Sequence, residues 1–119
     1  MLINLSNHPS EKWVSEQRGT AIEQYGKIID MPFPRIPPEA SYDEVWKIAD
    51  DYFEQIKTRA KQEKTTVHLM GEMTFTYMLI DRLKDANIPC VASTTERTVE
   101  ERDGKKIVQF NFIQFRAYF

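Results

Sequence analysis

The sequence predicts an α/β fold with a mainly parallel sheet and a C-terminal antiparallel hairpin. Three observations predict it. Short apolar runs alternate with amphipathic stretches up to Ala92, one of those stretches opens with a capping box, and two alternating segments flank Asp103-Gly104 near the end of the chain.

Leu2–Leu5 reads as a short strand, and Ser10 or Ser15 can cap a helix through Gln24 with Val14, Ala21, Ile22 and Tyr25 on its inner stripe. Gly26 ends that helix, Lys27–Met31 reads as a second strand, and Pro32, Pro34, Pro37 and Pro38 make a rigid loop. Ser41 and Glu44 have capping-box spacing, and Val45, Ile48, Ala49, Tyr52, Phe53 and Ile56 repeat as on a helix that lies on a sheet. Thr66–Met70 reads as a buried strand ending at Gly71, and Phe75, Met78, Leu79, Leu83 and Ala86 mark the next helix. Ile88–Ala92 reads as a fourth strand, with Pro89 tolerable only near its start. Arg97–Arg102 and Lys105–Tyr118 then form the two arms of a hairpin, because Asp-Gly tolerates the positive φ angles of a two-residue turn. The expected order is β-α-β-α-β-α-β-β-β within one domain over 1–119.

Composition narrows the function classes. With 119 residues, Lys+Arg 16 against Asp+Glu 18 and 41% hydrophobic residues, the chain can bury a core without staples. One cysteine, Cys90, forms no internal disulfide and suits a reducing cytoplasm, and two histidines, His8 and His68, leave little stock for a metal, so neither metal nor cofactor is expected. The first ten residues lack the basic start and long apolar run of a signal peptide, and no stretch has the apolar length to span a membrane. A charge of −2 argues against general DNA or RNA binding.

In an open parallel sheet a ligand sits outside the carboxyl ends of the strands. By this reading those ends carry Ser6-Asn7-His8-Pro9-Ser10, then Asp30 and the proline loop, then Gly71-Glu72-Met73-Thr74, and finally Ser93-Thr94-Thr95-Glu96-Arg97. Neither a dinucleotide fingerprint nor a P-loop is present. What remains is a set of hydroxyls, an amide, an imidazole and a guanidinium, suited to phosphate and ribose groups.

Several of these residues, taken in order, resemble a known family. Asn7-His8-Pro9 with Gln17, Gly71-Glu72 with Thr76-Tyr77, Ser93-Thr94-Thr95-x-Arg97 followed by Glu100, Asp103-Gly104-Lys105, Phe110 and Phe115-Arg116-x-Tyr118 resemble the small single-domain CRISPR-associated ring nucleases. The resemblance runs nearly end to end and departs from the family in a first loop lengthened by Pro9–Trp13 and in Glu72, where Asp is as common. It implies a Rossmann-like three-layer fold and a homodimer whose pocket crosses the two-fold axis. It also implies cyclic oligoadenylate as ligand, cyclic tetra-adenylate above all, and metal-independent ring opening by a ribose 2′-hydroxyl that leaves a 2′,3′-cyclic phosphate.

Such cleavage needs in-line placement, donors for the developing phosphorane charge, and groups that move a proton. Arg97 is the first candidate, able to chelate two phosphate oxygens, against a surface arginine paired with Glu96 or Glu100. Thr95, with Thr94 and Ser93 beside it, offers hydroxyls and amides, against ordinary strand filling. His8 is the histidine expected to reach solvent, where an imidazole suits acid or base work. Asn7 and Ser6 are positioning donors or an ordinary turn. Gln17 interrupts the inner stripe of the first helix, either to meet ligand or to satisfy buried backbone. Glu72 is a helix cap or a ribose contact, with Thr74 beside it. Period-2 counting puts Arg116 on the strand face of Phe110, Phe112 and Gln114, where it pairs or points toward ligand. His68 reads as a hydrogen-bonded core histidine outside the site. Trp13 sits on a loop placed to cover the pocket, and Trp46 reads as packing. A binding module without chemistry, an enzyme on another nucleotide or phosphorylated metabolite, and an oligomerising scaffold remain as alternatives.

Overall fold

Met1–Phe119 are all described by a computed structural model. Leu2–Ser6 (β1), with Leu2, Ile3 and Leu5 aliphatic, is buried along nearly its whole length, which suits an interior strand. It lies between Ile28–Asp30 (β2) and Thr66–Met70 (β3), parallel to both. Cys90–Arg102 (β4) adds parallel to β3, and Lys105–Ala117 (β5) adds antiparallel to β4, so the sheet order is β2-β1-β3-β4-β5.

Alternate residues of the same strands feed two cores. Ile3, Leu5, Val67 and Leu69 pack under Tyr42–Gln62 (α2) and Met73–Asp85 (α3), meeting Ala49, Ile56, Phe75, Leu79 and Leu83. On the other face Leu2 and Val91 pack with Trp13 and with Ala21 of Ser15–Tyr25 (α1). The result is a three-layer α/β fold with a Rossmann-like layout, as the alternation predicts. The Ser41–Glu44 capping box is formed in both directions, and Asp103 and Gly104 take the expected positive φ values of 53° and 77°. The Cys90 thiol is buried, and its burial pushes its pKa up to about 12.

Several local expectations are corrected. Strand four and the first hairpin arm are one strand, β4, giving five strands rather than six. The run Ser93–Arg97 contains no Gly or Pro to interrupt it, and β5 pairs with it throughout. That run is therefore not a loop. Neither Ser10 nor Ser15 caps α1; Val14 holds the cap position without a side-chain bond, and Ser10 opens a separate 3-10 turn, Ser10–Lys12. Val14 and Ile22 are exposed, and Gln17 and Ala21, one turn apart, are the buried pair of α1. Pro89 precedes β4 and is not part of it.

β4 leaves the sheet almost at once. Only Cys90 and Val91 pair with β3, and from Ala92 onward β4 and β5 form a two-stranded ribbon. The radius of gyration is 16.0 Å, against about 13.5 Å for a compact chain of this length. Ser93, Thr95, Arg97 and Val99 lie opposite Phe115, Phe112, Phe110 and Val108 on one face of the ribbon. A register shift between Thr94 and Thr95 leaves Ile113 as the extra residue on β5. This bulge corrects the face assigned to Arg116. Phe110 and Phe112 stand on the apolar face, whereas Gln114 and Arg116 pair with Thr94 and Ala92 on the opposite one.

Candidate functional site

A cavity of about 420 Å³ opens at the carboxyl ends of β1 and β3, under the first loop and α1 and beside the root of the ribbon. Such a volume falls within the range of roughly 300–1,000 Å³ usual for ligand sites. Ser6 lines it from the end of β1, Asn7 and His8 from the loop that follows, Gln17 from α1, and Ser93 and Thr95 from β4. Trp13, Phe110 and Phe112 supply aromatic wall. Lys12 is the one Lys or Arg in the lining, and no carboxylate takes part. Gln17 is only 9% exposed and faces this space.

Beneath the cavity a row of polar side chains crosses four strands, and two of its members, His68 and Ser93, line the cavity itself. Parallel pairing places Asp30, Asn4 and His68 side by side on β2, β1 and β3. Asn4 Nδ2 donates to Asp30 Oδ1 at 2.7 Å and to the His8 carbonyl at 2.9 Å. Both are acceptors, so the orientation of the Asn4 amide is fixed. Asn4 Oδ1 then accepts from Ser6 Oγ at 2.8 Å and faces His68 Nδ1 at 2.9 Å, so Nδ1 must carry the hydrogen. His68 Nε2 lies 3.1 Å from Ser93 Oγ. The Trp13 and Phe115 rings stand edge-on to the imidazole at 5.2 and 5.6 Å, and Trp13 Nε1 donates to the His8 carbonyl.

The electrostatics follow from this packing. Burial pushes the His68 pKa down to about 4, so at neutral pH the ring is uncharged, with one donor and one acceptor nitrogen. Burial alone would raise the Asp30 pKa, but hydrogen bonds from Ser10 and Asn4, and the nearby Arg18 charge, hold it below the usual carboxylate range. Asp30 is therefore an anion at one end of the row, and Ser93 a hydroxyl at the other.

The structure brings together Ser6, Asn7, His8, Gln17, Ser93 and Thr95 of the residues the sequence singles out. It leaves the others elsewhere. Glu72 caps α3, accepting from the Thr74 and Phe75 amides at 2.9 and 2.8 Å and from the Thr74 hydroxyl, and these bonds outweigh burial to lower its pKa. Thr94 points to the opposite ribbon face and donates to the Gln114 carbonyl, and Arg116 shares that face. Arg97 lies on the cavity face of the ribbon, opposite Phe110 but beyond the lining. It is mid-strand, not at a strand's carboxyl end.

His68 is buried and hydrogen-bonded as expected, yet it is also part of the cavity wall, which the sequence reading left out. The missed signal is a period-2 polar set, Asn4 and Ser6 on β1 and His68 on β3, inside strands that are otherwise apolar. Lys12 was missed because it lies in the short turn before α1. Trp13 is a buried wall of the cavity rather than a loop cover. Trp46 is half exposed and stacks on Arg82, 4.4 Å from its ring centre. No three His, Cys, Asp or Glu side chains converge as metal ligands, and no helix is long and apolar enough to cross a membrane.

Fold and site together define an α/β protein with a mixed five-stranded sheet and a polar cavity at its strand ends. The profile of the Uncharacterized protein MJ1673 family matches residues 1–116, and the chain belongs to that family. No curated protein and no solved structure matches it.

Proposed function

We propose that this protein is a ring nuclease. It binds cyclic oligoadenylate, cyclic tetra-adenylate above all, and opens the ring without a metal by attack of a ribose 2′-hydroxyl on the adjacent phosphodiester. In the cytoplasm this would switch off type III CRISPR signalling. The observation that carries the reading is the chemistry of the cavity: neutral donors and one lysine, no carboxylate, and aromatic wall on two sides. Such a lining accepts a phosphodiester without charge repulsion and offers flat surfaces to adenine. The ordered motifs that resemble ring nucleases choose this ligand among nucleotides.

A ring of four nucleotides is larger than one such cavity, so two subunits share it. The ribbon supports that arrangement. Val99, Val108 and Phe110 are 50%, 43% and 61% exposed on the face that borders the cavity. A two-stranded ribbon gains little stability alone, and a second copy would cover this apolar face. Arg97, on the same face, would then stand at the ring shared between subunits.

The test is incubation with cyclic tri-, tetra- and hexa-adenylate in EDTA, followed by chromatography and mass spectrometry. The expected products are linear oligoadenylates ending in 2′,3′-cyclic phosphate. Tight binding without cutting would replace catalysis by sequestration. Neither binding nor cutting, with or without added divalent metal, would overturn the reading.

A further inference from the structure

We propose that Ser93 is the group that takes the proton from the attacking hydroxyl, with His68 behind it as the final acceptor. This assignment rests on the proposed ring-opening reaction, in which that hydroxyl is a ribose 2′-hydroxyl. It gives the buried histidine a chemical part.

The assignment follows from counting hydrogens along the row. Asn4 has two amide hydrogens, and both go to acceptors, the Asp30 carboxylate and the His8 carbonyl. Its Oδ1 can only accept, which places the imidazole hydrogen on His68 Nδ1. Nε2 therefore presents a lone pair to Ser93 Oγ. Ser93 has one hydroxyl hydrogen and two neighbours for it, Nε2 and the Met70 sulfur, each at 3.1 Å. Sulfur is the weaker acceptor, so the hydrogen goes to Nε2, and the Ser93 lone pairs are free to face the cavity it lines.

The arrangement has the parts of an activated hydroxyl: a nucleophilic or basic oxygen, an imidazole in a fixed tautomer, and an orienting amide held by an anion. The charged and titratable groups around the imidazole are Asp30 of β2 and Arg18 of α1 behind Asn4, with His8 and Lys12 at the cavity mouth. β5 meets it only with the Phe115 ring. The hydrogen-bond partner of Nε2 is Ser93 Oγ, at 3.1 Å.

In the step itself the 2′-oxygen forms its bond to phosphorus as its proton passes to Ser93 Oγ, and the Ser93 proton passes to His68 Nε2. The bond between phosphorus and the 5′-oxygen breaks. That oxygen takes a proton from water at the open cavity, and the imidazolium returns its proton through Ser93 to the hydroxide left behind. Two protons are in flight together at the attack.

The experiment compares single-turnover cleavage of cyclic tetra-adenylate by the full-length wild type, Ser93→Ala, Ser93→Thr and His68→Gln, with ring affinity measured alongside. Ser93→Ala should keep its affinity and lose about 10²-fold or more in rate, the usual share of a general base. Ser93→Thr, which keeps a hydroxyl, should recover most of that loss. In mixtures of light and heavy water the wild-type rate should curve as two protons in transit require, and Ser93→Ala should give a straight line. Nitrogen NMR of the ligand-free protein should show His68 protonated at Nδ1 and bare at Nε2. The opposite tautomer, or a Ser93→Ala variant that cleaves at the wild-type rate, would overturn this assignment and leave the ring-nuclease reading standing. A wild type that cuts no ring would overturn both.

Discussion

The two faces of the sheet are made from alternate residues of the same strands and are chemically unlike. Toward α2 and α3, β1 and β3 present Ile3, Leu5, Val67 and Leu69 to a core containing Phe75, Leu79 and Leu83. Toward α1 they present Leu2, Asn4, Ser6 and His68, and the polar members are tied to one another and to Asp30 and Ser93. One face holds the fold by packing. The other accepts buried polar groups, which are tolerable only because each is hydrogen-bonded. The difference teaches that stability and chemistry are separated by one step of the strand pleat.

The largest expected effect is on the apolar face. Phe75→Ala should destabilise the protein by about 3–5 kcal/mol in urea unfolding, because the ring is fully buried. A loss below 1 kcal/mol would show that this face does not carry the fold. Next is the pH response of the polar face. Below pH about 6.5 the unfolded imidazole of His68 takes up a proton that the folded one, with a pKa of about 4, refuses. Its contribution to stability should therefore fall from about pH 6.5 down to about pH 4, by on the order of 3 kcal/mol, and be flat above. Urea midpoints for wild type and His68→Gln at pH 7 and 4.5 check this; parallel declines would remove His68 as the cause.

A smaller effect should come from Asn4→Ala. It strands the buried His68 N–H and removes two bonds to Asp30 and His8, at a cost on the order of 2 kcal/mol. The same variant should release the fixed tautomer, visible by nitrogen NMR; an unchanged tautomer would mean that Asn4 does not set it. The smallest effect on stability belongs to the ribbon. Phe110→Ser should change unfolding by no more than about 0.5 kcal/mol, since its ring is mostly exposed. Under the proposed sharing of one ring by two subunits, sedimentation should nevertheless show weaker self-association than the wild type. Self-association equal to the wild type's, or a wild type that stays monomeric, would remove the ribbon face as the proposed interface.

The body of the fold was legible because local signals there agree with tertiary ones. The capping box at Ser41, the i, i+3, i+4 stripe after it and the Asp103-Gly104 turn each act within a few residues. The ribbon was misread for the opposite reason. Where β4 leaves the sheet depends on pairing with β5, and the Ile113 bulge that reverses the face of Arg116 has no mark of its own in the sequence. The site divides similarly. Ser6, Asn7, His8 and Gln17 lie close together in the chain, so local pattern groups them, whereas His68 comes to Asn4 across 64 positions and by local pattern alone reads as core.

Cys90 has a practical consequence. As the single cysteine of the chain, with its pKa pushed up to about 12 by burial, it stays un-ionised at pH 7. Its backbone carbonyl is bonded to the Tyr118 amide, and the Tyr118 hydroxyl reaches across to the Leu69 carbonyl, so the β3–β4 seam is closed around it. The thiol itself lies in the core with Leu79, Leu83 and Ile88, so alkylating reagents can meet it only when that packing opens. The native protein thus carries an internal stopwatch, in which the rate of thiol labelling reports how often this core opens.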